Sequence, residues 1–124
     1  MTNILDLFSR IFISLLFLIN GYFKVANYDE TLEWMEGYNV PGILLIPAII
    51  LEFAAPILVI VGYKTKIAAF LLAAFCMTTA LIFHTDFSSQ IQITSFLKNI
   101  ALAGGFLLIV VNGAKKYSLD NIKK

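Results

Sequence analysis

From Ile67 to Phe83 the chain runs for seventeen residues without a charge, and that run constrains the fold more than any other feature. A helix in a soluble bundle needs a polar face toward water, and a run built from Ile, Ala, Phe, Leu, Cys, Met and two Thr has none to offer. Three further runs resemble it. Ile43 to Gly62 holds one charge, Glu52; Asn99 to Ala114 holds none; Ile4 to Phe23 holds only Asp6 and Arg10. A helix that crosses a bilayer takes about 17–25 mostly apolar residues at about 1.5 Å rise each. The runs therefore predict an all-α integral membrane four-helix bundle. Its spans lie at about 4–24, 43–62, 66–84 and 96–113, within a single domain covering residues 1–124. Composition agrees: 60% of residues are apolar and 14% charged, against about 45–50% and 25% in ordinary soluble domains. That balance excludes intrinsic disorder. A net charge of +1 supplies no basic stripe for nucleic acid.

The first run is read as a helix and not a cleaved signal. It lacks a basic n-region, Arg10 interrupts its apolar core, and Gly21-Tyr22-Phe23-Lys24 is too bulky for a cleavage site. Orientation follows from the basic residues, which concentrate in cytoplasmic connections. Lys64, Lys66, Lys115, Lys116, Lys123 and Lys124 fall on one side, against Lys24 and Lys98 at span ends on the other. Both termini are expected in the cytoplasm. The 25–42 and 85–95 loops would then lie outside, with Lys24 and Lys98 snorkelling toward that surface. Within the first loop, Asp29-Glu30-Thr31-Leu32-Glu33-Trp34-Met35-Glu36-Gly37 opens on acids and stops at glycine, as a short interfacial helix does. It serves either as a plug over the end of the bundle or as a lid or docking surface for a partner.

Several chemistries are excluded by counting. One cysteine, Cys76, cannot form an internal disulfide relay, and one histidine, His84, cannot supply both axial ligands of a haem. No spacing matches a metal site, and no phosphate loop or hydrolase triad occurs. The informative residues are the polar ones within the spans, where a charge costs about 2.5–3.5 kcal/mol at the bilayer centre on insertion scales. Asp6, Arg10, Ser14, Phe17, Gly21 and Lys24 recur at three- and four-residue steps, one stripe of a helix. Glu52 falls at the middle of the second span, with Pro56 one turn on. Helix rise puts Arg10 about 6 Å from the depth of Glu52, with His84, Lys98 and Asn99 gathered toward the other surface along with Asn20 and Lys24. Arg10, Glu52, His84, Lys98 and Asn99 thus form a candidate intramembrane polar site. The alternative is that Arg10 and Glu52 neutralise each other and only fix helix register.

Arg10 with Gly21-Tyr22-Phe23-Lys24, Leu51-Glu52, Gly62-Tyr63-Lys64-Thr65 with Ala68-Ala69, His84, Phe96-Leu97-Lys98-Asn99 and Gly104-Gly105 together resemble the DoxX family, in order, over about residues 7–112. Glycines common around that family's helix-two acid are replaced here by Phe53, Ala54, Ala55 and Pro56. The resemblance implies a small four-helix protein of the bacterial inner membrane, akin to the DoxD-type subunit of thiosulfate:quinone oxidoreductase or to proteins of membrane redox complexes. On that basis the chain is expected to be a subunit or accessory of a quinone-linked redox complex, with the polar residues lining a site for a quinone or small anion. Its expected partners are the lipid bilayer and either a redox enzyme subunit or a second copy of itself. Two other classes stay open: an assembly subunit without catalysis, and a proton-coupled small-molecule transporter built on the buried carboxylate.

Overall fold

In a computed structural model the described residues are 1–122, and every regular element among them is helical. Lys123 and Lys124, counted above for orientation, lie outside the described residues. Four helices are long and apolar enough to cross a membrane: Thr2–Ala26, Gly42–Val61, Thr65–Phe83 and Gln90–Asn112. We call Thr2–Ala26 α1, the short helix Tyr28–Gly37 α2, Leu45–Val61 α3, Thr65–Phe83 α4, Gln90–Asn112 α5 and the C-terminal turn Leu119–Ile122 α6. Large apolar side chains such as Ile67, at 62% exposure, and Leu108, at 65%, point outward from the bundle. Hydrocarbon accommodates such a surface and water does not.

Local chemistry sets the helix ends. Asn27 breaks α1 from α2, its amide donating to the Phe23 carbonyl at 3.1 Å, and Asp29 and Glu30 occupy the first turn of α2, where the helix dipole favours anions. Pro41 opens a 3₁₀ turn at Gly42–Leu44 that feeds α3. α3 stops at Gly62, whose φ of +73° is left-handed; the amides of Gly62 and Tyr63 both close on the Leu58 carbonyl, at 2.8 and 3.0 Å. Pro56 lacks the N–H that would bond the carbonyl one turn back, at Glu52.

The fourth spanning helix departs from expectation. It starts at Gln90 rather than near 96, so the expected 85–95 loop shrinks to a short connection. Ser89 caps it, accepting from the Gln92 amide at 3.5 Å. The run Ser88-Ser89-Gln90-Ile91-Gln92 reads as loop by hydropathy, but it is an N-terminal cap followed by an amphipathic first turn. In that connection Asp86 is held below its ordinary carboxylate range by the hydroxyl and amide of Ser88.

Packing follows residue size. α4 presents Ala68, Ala69, Ala73 and Ala80, all buried, and small residues let helices approach closely in a membrane. α1 closes on α3 at Gly21, where a Cβ would stand 3.2 Å from the Phe53 ring. The central core joins Phe17, Val59, Leu72, Cys76 and Phe106, with Phe17 and Phe106 edge to face at 5.5 Å. A second cluster at the other end joins Met35 of α2 to Leu45 and Phe83. The interfacial helix is thus packed onto the bundle, as a plug would be, with Trp34 stacked on Phe83 at 4.3 Å.

Candidate functional site

The polar residues of the spans divide into two groups at different depths. The first is centred on Arg10, which is fully buried. Its Nε donates to Asp6 at 3.0 Å, Nη1 to the carbonyls of Val59 and Ile60 at 3.0 and 2.7 Å, and Nη2 to the carbonyl of Tyr117 at 2.6 Å. Val59 and Ile60 lie in the last turn of α3, where carbonyls have no partner in their own helix. Asp6 in turn accepts from the Lys115 amide at 3.0 Å. Asp120 of α6 receives the amides of Lys64 and Thr65 at 2.8 and 3.0 Å and the Thr65 hydroxyl at 2.7 Å. It caps α4 from outside the helix. The alternative reading, in which Arg10 and Glu52 neutralise each other, therefore does not hold, since they do not pair. Arg10 sits beside Val59, seven residues and roughly 10 Å along α3 from Glu52, and binds main-chain oxygens that no side-chain pattern reveals.

The second group lines a cavity of about 430 Å³ between the spans and under α2. This volume falls within the range of small-molecule pockets. Glu52, His84, Lys98 and Asn99 all line it, so four of the five sequence candidates share one site. Glu52 is 1% exposed, and its partner is Lys24, with Nζ to Oε1 at 2.6 Å. Lys24 also lies 5.6 Å from the centre of the Phe75 ring. Lys24, expected to snorkel outward, folds inward because a carboxylate is within reach of its four-carbon stem. The other carboxylate oxygen, Glu52 Oε2, is buried and has no hydrogen-bond partner. His84 Nδ1 faces Gln92 Oε1 at 3.3 Å, and the Asn99 amide donates to the Ser95 carbonyl of its own helix at 3.1 Å. Lys98 is exposed on α5 and makes no salt bridge among the described residues.

The remaining wall is apolar or aromatic. Phe17 and Leu102 lie on the deeper side, and Trp34, Met35 and Phe83 form the roof. Lys24 and Asn20, grouped with His84, Lys98 and Asn99 by depth, also line the cavity, as does Thr79, which sequence reasoning did not place there. Lys24 also continues the Arg10–Ser14–Phe17–Gly21 stripe that α1 buries. Two lysines against one carboxylate leave the cavity with an excess of one positive formal charge. An apolar chamber with one buried, half-partnered carboxylate and nearby cations can hold an uncharged or anionic polar head and exchange a proton with it. No cluster of three His, Cys, Asp or Glu capable of holding a metal occurs among the described residues.

Comparison with known proteins fits this architecture. The DoxX family model matches residues 5–85. The inner membrane protein YqjF of Escherichia coli K12 is 35% identical over 116 residues, covering 94% of this chain and 89% of the relative. The inner membrane protein YphA of the same organism is 33% identical over 124 residues, with the same coverage of 94% and 89%. No solved structure matches the chain. With four apolar membrane-length helices and a family match across most of its spans, the chain belongs to the DoxX family of integral inner membrane proteins.

Proposed function

We propose that the chain is the lipophile-binding subunit of a quinone-linked redox complex, and that the Glu52 cavity receives the polar head of a quinone or a comparable small acidic lipophile. The observation that carries this reading is Glu52 Oε2, a buried carboxylate oxygen without a partner beside a chamber large enough for a ligand. Such an oxygen is costly to leave unsatisfied, and a hydroxyl or protonated head group supplies the missing hydrogen. Lys24 and Lys98 offer hydrogen bonds to ring oxygens, and His84 lies in the same wall for proton exchange. The chain holds no thiol pair, so a partner or the substrate must provide electrons. The acids Asp29, Glu30, Glu33 and Glu36, all exposed on α2, make a docking face for that partner. Following the lysine distribution, both termini face the cytoplasm and α2 the outside of the inner membrane.

The test is purification in mild detergent, extraction of bound lipids for mass spectrometry, and titration with decylubiquinone. The wild-type protein is expected to retain or bind quinone, and Glu52→Gln to weaken binding by about tenfold, the worth of one hydrogen bond to a charged group. His84→Ala, which leaves the Lys24–Glu52 pair intact, should weaken it less. Absence of quinone binding, or unchanged affinity in a folded Glu52→Gln protein, would remove this reading.

A further inference from the structure

We infer that the cavity opens sideways, through the seam between α1 and α5, so that its ligand is an amphiphile whose apolar chain stays in the bilayer while its head reaches Lys24 and Glu52. This rests on the reading of the cavity as a ligand site and adds the route and the shape of the ligand. Of the neighbouring helix pairs in the ring, α1 and α5 meet over the shortest stretch. There Gly105 lies against Ile13, so closely that a Cβ would stand 2.6 Å from its Cδ1, and Phe17 meets Phe106 at 5.5 Å. These contacts close the seam at the level below the cavity. Above them the facing residues are Leu16 and Asn20 on α1 and Lys98 and Leu102 on α5. All four line the cavity and none is buried.

Other routes are crossed by closer packing or by charge. The end of the bundle is roofed by α2, with Met35 buried and Trp34 and Tyr38 packed on Phe83 at 4.3 and 5.1 Å. A notch beside that roof, between α1 and α2, has Phe23 and Trp34 in its wall with Asn20, Asn27, Thr31 and the charged Lys24 and Glu30. The two charges make it a path for water and protons to Lys24 and a costly one for a hydrocarbon chain. Between α3 and α4 an apolar groove shares Pro47 and Leu51 with the cavity, but these helices pack over a longer stretch than α1 and α5 do, with Leu45 against Phe83 at one end and Val59 and Leu72 in one core cluster farther down.

Lys98 gives the seam its chemistry. It lies eight residues, roughly 12 Å, from the start of α5, exposed, and without a salt bridge among the described residues. Intramembrane cations mark ligand paths when they face a cavity in this way. A head group bearing carbonyl or acidic oxygens meets Lys98 first and then the Lys24–Glu52 pair, while Leu16 and Leu102 flank the trailing chain.

Trp34 is the single tryptophan of the chain and lines the cavity, so its fluorescence reports occupancy. The experiment measures quenching in vesicles by decylubiquinone and by the tailless dimethoxy-methyl-benzoquinone, using wild type, the seam double variant Leu16→Phe/Leu102→Phe, and Ile82→Phe on the opposite wall. Circular dichroism confirms that each variant is folded. The seam variant is expected to lose affinity for decylubiquinone by about tenfold and to keep the tailless ring within about twofold, while Ile82→Phe spares the difference between the two probes. Equal loss of both probes in the seam variant, no loss of either, or loss of the tailed probe in Ile82→Phe alone overturns the inference. If neither quinone quenches wild type, the head-group reading fails, and a phospholipid with a nitroxide near its chain terminus decides the route. Quenching present in wild type and lost in the seam variant supports it; equal or absent quenching in both overturns it.

Discussion

At the scale of single residues, Arg10 and Lys24 show opposite uses of a cation in a span. Arg10 spends its fork on a carboxylate and three carbonyls and has no role in the cavity. Lys24 holds one oxygen of Glu52 and leaves the other open. Arg10→Met should therefore destabilise the fold by about 3–5 kcal/mol, as removal of one partner of a buried pair does, read as a fall in midpoint for thermal unfolding in detergent. The folded fraction should bind ligand as the wild type does. Arg10→Lys should rescue little, since an ammonium cannot bridge carbonyls from two chain segments with a planar fork. Both residues stood out in the sequence as charges on one helical stripe, but their partners did not. Carbonyl oxygens are the same in every residue, so nothing in the letters marked Val59, Ile60 and Tyr117. Likewise, the pairing of Lys24 with Glu52 depends on the rotation and register of two antiparallel helices, which apolar runs leave undetermined.

At the scale of elements, the spans were legible because length and apolarity are physical requirements of crossing a bilayer. Three of the four both begin and end within a few residues of expectation, and the fourth ends where expected. The start of α5 was not, because its first turn carries polar residues on a helix packed only partly into the bundle. The role of residues 115–120 was also hidden. Those residues read as a lysine-rich tail, yet Asp120 caps α4 and the amide of Asp120 binds the Gly62 carbonyl at 2.7 Å. Asp120→Ala should cost about 1 kcal/mol, typical of a lost helix cap. Hydrogen exchange should locate the loss at the amides of Lys64 and Thr65, with the amides of α5 unchanged. Gly62 is tied to the same junction: its left-handed backbone lies against Ser118, where a Cβ has no room.

At the scale of the whole molecule, the bundle has a clasped end and a ligand end. The first is closed by Arg10, Asp6 and Asp120; the second contains the cavity, the α2 roof and an acidic outer face. The proposed orientation puts the clasped end in the cytoplasm. In a Cys76→Ala background, an impermeant maleimide should label Glu33→Cys in intact spheroplasts and Lys116→Cys only after lysis; the reverse pattern inverts the orientation. The clasp also bears on biogenesis. Arg10 and Asp6 enter the membrane with the first helix, before residues 59, 60, 115 and 117, which complete their hydrogen bonds, have been synthesised. A nascent bundle thus carries the Arg10–Asp6 pair of α1 without its carbonyl and amide partners, and those from Lys115 and Tyr117 arrive last. The clasp is therefore complete only after the segment 115–120 has been made.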